Sequence, residues 1–218
     1  PFCEHFGVCG GCQWQMLPYE KQLEYKEIQV FETLKRIGKV ALPQFEPILG
    51  AQTTRFYRNK IEYTFGNKRF LLPSELSDPG ISAEQNVAGY HAQGIFDKVV
   101  DIRRCHLQAE PTNRLRNTIR EYALQNDLSF YDIRNHHGFL RTMQVRICRT
   151  GEVMINLVFG SDEPKKRMPL LDFILANFPE ITTLLLSINQ KKNDSLNDLQ
   201  PQVYSGPGYV IETLEDFR

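Results

Sequence analysis

Three cysteines open the chain in the spacing Cys3-x5-Cys9-Gly-Gly-Cys12. Thiolates are soft donors, so three of them this close together point to metal binding. Gly10 and Gly11 carry no Cβ and let the backbone curl around a common centre. Cys105 is the expected fourth donor, because it follows Val99-Val-Asp-Ile102 in the polar setting Arg103-Arg-Cys-His106. Cys148 ends the alternating stretch Val145-Arg-Ile-Cys148 and reads as a buried structural thiol.

Three chemistries compete for the thiols. Disulfides are disfavoured, since the cysteine count of 5 is odd and nothing marks an oxidising compartment. Structural zinc sites usually pair their ligands two by two, whereas here a triplet is matched by one remote cysteine. His5 and His106 keep zinc open as alternative ligands. A three-plus-one set suits a [4Fe-4S] cubane, which takes one thiolate at each corner.

A second constellation is basic and aromatic. Arg55, Arg58, Lys60, Lys68 and Arg69 are interleaved with Phe56, Tyr57, Tyr63, Phe65 and Phe70. Cations neutralise phosphates, and exposed aromatics stack on unpaired bases. Strand alternation sends Tyr57, Ile61, Tyr63 and Phe65 inward, leaving Arg58 and Lys60 on the opposite face as RNA contacts, with Arg55 beside them. Arg134, His136, His137 and Arg141 form a second basic region, read as a surface turn rather than a metal site, with Arg141 a further RNA contact. Arg103 and Arg104 are placed to offset the negative charge of a thiolate-bound cluster, or to touch RNA.

These groups need a scaffold. Residues 1–16 show little periodicity and read as a compact loop that needs a staple. Leu23, Val30, Leu34 and Ile37 share a helical face over 17–38, with Gly38 as a left-handed stop. A hairpin is expected over 55–73 with its turn at Gly66-Asn67, then a surface loop over 74–86. A second hairpin over 87–103 turns near Gln93-Gly94. Leu115, Ile119 and Tyr122 mark a helix over 110–125. Strands follow at 129–134, 139–148, 152–159 and 182–189, with a short helix over 168–178 and a polar loop over 191–198. The fold class is α+β: a mainly antiparallel sheet forming a central domain, a cysteine-rich N-terminal cluster loop and a few helices. The domain reading takes 1–16 as the iron–sulfur loop, 17–38 as a helix that packs on a further catalytic domain, and 39–218 as the central domain carrying the fourth ligand.

Composition sets outer bounds. With 26 basic and 26 acidic residues, net charge argues against a dedicated nucleic-acid binder but leaves room for a local basic patch. No apolar run is long enough to span a membrane and no signal-peptide pattern opens the chain, so a soluble cytoplasmic protein with no membrane partner is expected. Pro1 in place of Met, and an alternating stretch from Tyr209 to Arg218, suggest a piece of a longer protein.

The run from Cys3 through Cys9-Gly-Gly-Cys12-Gln-Trp-Gln15, followed by Tyr19, Lys21, Gln22 and Lys26, resembles the RumA-type 23S rRNA (uracil-5-)-methyltransferases. Phe56-Tyr-Arg-Asn-Lys60 with Tyr63-Thr-Phe65 is similar to that family, as are the segments from Gly89 to Cys105, Gly138 to Arg141, Met154 to Val158 and Ser187 to Asn189. The resemblance covers nearly the whole chain. It implies that Cys3, Cys9, Cys12 and Cys105 bind a [4Fe-4S] cluster in a central domain. An RNA-binding domain of the OB type often precedes that domain, and a Rossmann-like S-adenosylmethionine domain follows it. The implied substrate is 23S rRNA, and the implied state a monomer. In the family reaction a cysteine thiolate adds to C6 of uracil, C5 takes the methyl group, and a base removes the C5 proton before the thiolate leaves. This sequence departs from the pattern: it has no glycine-rich S-adenosylmethionine motif and no late Ser-Cys-Asn nucleophile. No catalytic residue is therefore assigned, and the chain alone is expected to be inactive, with S-adenosylmethionine belonging to the full-length protein. The alternative reading is a zinc- or iron–sulfur-bearing RNA-binding or redox module without catalysis.

Overall fold

The alternation of Ile61, Tyr63 and Phe65 with Lys60, Glu62 and Thr64 builds β1 (Lys60–Lys68), an interior strand of a seven-stranded sheet. The computed structural model describes residues 1–215 and 217. β2 (Glu84–His91) and β3 (Val99–Asp101) flank β1 on one side. β4 (Leu140–Ile147), β5 (Val153–Phe159), β6 (Ile181–Ile188) and β7 (Gln202–Ser205) follow on the other, giving the order β3-β2-β1-β4-β5-β6-β7. Neighbours are antiparallel except β5 and β6. That parallel pair needs a crossover, which is supplied by α3 (Pro164–Asn177).

The apolar face of the sheet is covered by α2 (Thr112–Gln125) and α3. Tyr63, Phe65, Met143, Ile155 and Leu157 meet Leu115, Ile119, Leu170 and Ile174 in one core, and the Tyr122 and Phe173 rings bridge the two helices at 4.4 Å. The opposite face is polar and carries a chain of side chains across four strands. Gln144 donates to Glu62 (2.7 Å), Asn156 to Gln144 (3.4 Å) and Ser187 to Asn156 (3.1 Å). Among the described residues no helix is long and apolar enough to cross a membrane.

The α+β class holds, and several local expectations change. Gly66-Asn67 is not a turn: β1 runs through it, with a register shift between Gly66 and Lys68. A Cβ on Gly66 would lie 2.7 Å from Val99, so this glycine serves a close approach between strands. Residues 55–59 lie outside β1 in irregular backbone, so alternation does not reach Tyr57, whose ring is exposed. The expected strand over 129–134 is a set of isolated bridges at Phe130, Tyr131 and Asp132. The last strand is β7, and residues 209–213 form none; positions 216 and 218 of the expected terminal strand lie outside the described residues.

The first helix, α1 (Tyr19–Glu32), widens into a π turn over Thr33–Ile37. Gly38 is right-handed at φ −71°, and the left-handed residue is Lys39 at φ 50°. α1 buries no residue fully, and Val30 and Ile37 are exposed.

Candidate functional site

The N-terminal thiols are brought together by turns. The Phe6 N–H donates to the Cys3 carbonyl (3.2 Å) and the Cys9 N–H to that of His5 (3.0 Å). The loop is then laid against the end of β2: Gly10 N–H donates to His91 (3.0 Å) and Gln93 N–H to Val8 (2.9 Å). A Cβ on Gly10 would sit 2.9 Å from the His91 carbonyl oxygen, so this contact requires glycine.

Cys105 arrives by a different route. β2 and β3 pair antiparallel, Tyr90 opposite Val100, and the chain leaving β3 carries Cys105 back beside the N-terminal loop. Asn113, in the first turn of α2, clamps it there. Its Oδ1 accepts from the Cys105 N–H (2.7 Å), and its Nδ2 donates to the Cys105 carbonyl (3.1 Å).

All four expected donors, Cys3, Cys9, Cys12 and Cys105, line one pocket, walled by Phe2, Phe6, Tyr90 and Ile102. Among the described residues, no three His, Cys, Asp or Glu side chains stand in a group able to hold a metal ion. Cys148 is buried elsewhere, as expected of a structural thiol. His106 packs its ring edge-on against Phe2 (5.3 Å), and His5 lines the pocket. Burial pushes the Cys9 thiol up to about 11 and also raises Cys3. A metal would have to displace those protons to bind.

The surroundings are short of an acceptor and of negative charge. The Tyr63 and Tyr90 hydroxyls are buried with no hydrogen-bond partner. Burial holds both phenols far above their ordinary range, and Cys105 adds to the shift in each, so both remain neutral donors. Behind them lies Arg116, fully buried, its guanidinium 4.7 Å over the Tyr63 ring. It donates to the carbonyls of Ile102 (2.9 Å) and Arg103 (2.7 Å) and to the amide oxygens of Asn113 (3.0 Å) and Asn117 (3.2 Å). Among the described residues it has no carboxylate partner. Buried charges are ordinarily paired, so an anionic, hydrogen-bond-accepting occupant fits this pocket on both counts.

Arg116 is a third basic residue beside those expected from the sequence, and unlike them it is buried. Arg103 is exposed and pairs with Asp101 (3.4 Å), while Arg104 lines the pocket. The signal was present: Arg116 shares the buried face of α2 with Thr112, Leu115 and Ile119, where a charge is out of place.

The RNA candidates separate into three groups. Arg55 and Arg58 line an open groove of about 850 Å³ that shares Phe2, Cys12 and Leu107 with the thiol pocket. The groove's inner wall is pinned beside Cys105, because Phe56 N–H donates to His106 (2.8 Å) and Arg58 N–H to Leu107 (2.9 Å). Lys60 is exposed at the start of β1 and does not line the groove.

Arg141 is a correction. It is 2% exposed at a register shift in β4, where a bulge re-aims the side chain. It donates to Asp194 (2.7 Å) and to the carbonyls of Asn189, Lys191 and Asn193, and stacks 4.2 Å over Tyr131. Its donors tie the 189–194 loop to the sheet and are all engaged within the chain. His136 and His137 lie in a turn over which the Asp132 carboxylate accepts the N–H groups of Arg134 and Asn135, both at 2.9 Å.

No family model matches the chain. It is 46% identical over 221 residues to an uncharacterized RNA methyltransferase of Bacteroides thetaiotaomicron, spanning 100% of this chain and 49% of that protein. An uncharacterized RNA methyltransferase of Porphyromonas gingivalis is 46% identical over 223 residues, spanning 100% of this chain and 48% of that protein. Among solved structures, the tRNA (uracil-54, C5)-methyltransferase of Pyrococcus abyssi in complex with S-adenosyl-L-homocysteine superposes with a TM-score of 0.65 at 24% identity, covering 95% of this chain and 43% of that one. The chain therefore spans about half the length of the curated relatives it matches.

Proposed function

We propose that this chain is the cluster-bearing, RNA-positioning half of an S-adenosylmethionine-dependent RNA (uracil-5-)-methyltransferase acting on 23S rRNA. One observation carries the reading: four thiols line a pocket with Tyr90, whose buried hydroxyl lacks an acceptor, and the buried Arg116, with no carboxylate partner among the described residues, lies behind it over the Tyr63 ring. A [4Fe-4S] cluster held by Cys3, Cys9, Cys12 and Cys105 is net negative and offers sulfur acceptors, which answers both deficits. When bound, the cluster supplies a covalent cross-link between the N-terminal loop and the end of β3. Its binding free energy is then folding free energy for a loop in which no residue is fully buried.

The names of the relatives support action on RNA, and the archaeal neighbour supports uracil C5 as the methylated atom. Methyl transfer belongs to the other half of the protein. None of the five cysteines stands free as a nucleophile in this reading: four are ligands, and Cys148 is buried with its thiol raised by burial. We place the protein in the cytoplasm, where reducing conditions keep ligand thiols available, and take it as a monomer.

Anaerobic iron and sulfide analysis with visible spectroscopy tests the site. Matching iron and sulfide, with broad visible absorption lost in a Cys105→Ser variant, is the expected result. One zinc per chain without sulfide would overturn the cluster in favour of a zinc site. Methylation of a uridine-containing RNA by this chain alone would overturn the division of labour.

A further inference from the structure

We propose that the groove beside the thiol pocket binds single-stranded RNA, with Trp14 and Tyr57 as stacking platforms for unpaired bases and Lys26, Arg55 and Arg58 taking the phosphates. The proposal rests on reading the chain as one that acts on RNA, and specifies where and in what form RNA is held.

The groove is selective in its chemistry. Lys26, Arg55 and Arg58 line it, and among its described lining residues there is no Asp or Glu. The whole chain balances 26 basic against 26 acidic residues, so this segregation of charge is local. None of the three cations is in an ion pair among the described residues. Two of them instead sit over aromatic rings: Lys26 is 5.9 Å from the centroid of Trp14, and Arg55 is 4.0 Å from that of Phe2.

The aromatic rings are left open to solvent. Trp14 is 45% exposed and Tyr57 57%, although both are large apolar bodies that folding ordinarily covers. Cations that follow a backbone, set beside open π-faces, are the two ingredients of single-strand binding. A duplex cannot use the platforms, because its bases are already stacked on each other and it offers only phosphates and 2′-hydroxyls.

The walls are also fixed in advance. The Gln22 side-chain amide donates to the carbonyls of Trp14 (3.1 Å) and Leu17 (2.8 Å), tying the Trp14 loop to α1. The Tyr19 hydroxyl accepts from the Ala51 N–H (2.7 Å), joining α1 to the facing segment. A groove ordered before binding loses less entropy when the strand arrives.

Trp14 is the chain's single tryptophan, so its fluorescence reports on this groove alone. The experiment titrates the whole chain with a short unstructured RNA oligonucleotide, with the same sequence as a duplex, and with an acidic peptide. The single strand is expected to quench Trp14 and to bind less tightly as salt rises, while the duplex leaves the emission unchanged. Trp14→Ala should weaken single-strand binding by about 5- to 150-fold, the loss of one stacked base. Trp14→Phe should retain most of it. Tyr57→Ala, at a side chain already exposed, should weaken binding without disturbing the fold. Arg58→Ala should lower the salt slope by about 0.7, one phosphate contact on a single strand. Salt-dependent RNA binding with unchanged Trp14 emission, and with both alanine variants binding as wild type, would remove the groove while leaving the RNA reading intact. Absence of RNA binding at any salt would overturn both. Quenching by the acidic peptide but not by RNA would overturn the proposal in favour of a protein partner.

Discussion

Replacing Arg116 by methionine tests whether the thiol pocket is built around an anion. The substitution keeps much of the side chain's length and removes its charge and all four of its hydrogen bonds. Stranding the Ile102 carbonyl costs about 1–3 kcal/mol, whereas the Arg103 carbonyl still accepts from the Asn117 amide (3.0 Å). In the iron-free protein that cost is offset, because a guanidinium with no carboxylate partner is itself expensive to bury, by several kcal/mol per ion. The net loss there should be small, about 0–2 kcal/mol. With an anionic cluster in place Arg116 is compensated, and removing one member of a buried pair costs about 3–5 kcal/mol. The two forms should therefore differ by about 3 kcal/mol in their response to one substitution. Urea unfolding of wild type and Arg116→Met, each iron-free and anaerobically reconstituted, closes the cycle. An equal loss in both forms would refute the reasoning, for it would mean that Arg116 does not sense what fills the pocket.

Gly10→Ala forces a methyl group to 2.9 Å from the His91 carbonyl oxygen, so the cysteine loop must lift from β2. A loss of about 1–3 kcal/mol and faster release of iron to a chelator are expected. The thiols also set a pH dependence. The Cys9 pKa stands at about 11 in the fold against an ordinary 9.0, so the folded state holds this proton more tightly than the unfolded one. That contribution to iron-free stability is fully present below pH 9 and is lost as pH rises towards about 11, while iron binding strengthens over the same rise. Thermal unfolding of the iron-free protein across this range, with Cys9→Ser as the variant that flattens it, is the check. Arg141→Met should destabilise by about 2–4 kcal/mol through the lost contacts to Asp194 and the 189–194 loop, with RNA affinity of the folded protein unchanged. Lys60→Ala should leave stability unchanged, and filter binding of RNA by both variants separates a buried strut from a surface cation.

Much of the secondary structure was legible from residue order, because it rests on local periodicity. Ile61, Tyr63 and Phe65 define a strand face, and Leu115 and Ile119 a helix stripe, with no reference to distant residues. The N-terminal thiols were legible as candidates for a related reason: residue type and spacing are properties of the chain itself. Where local pattern met a non-local partner, it failed. Gly66 reads as a turn until Val99 is seen against it, and Arg141 reads as a surface cation until the β4 bulge turns it onto Asp194. Tyr57 loses its inward direction because β1 begins after it. Residue order by itself determined which thiols were candidates and that cations accompany aromatics near Tyr57. Tertiary structure alone decided that Cys105 lines one pocket with the N-terminal triplet, that Arg116 is buried while Arg103 is exposed, and that Trp14 and Arg58 line one groove. The physical reason is that compensation of charge, satisfaction of hydrogen bonds and exposure of a ring are sums over neighbours. For these side chains the neighbours come from segments far apart along the chain.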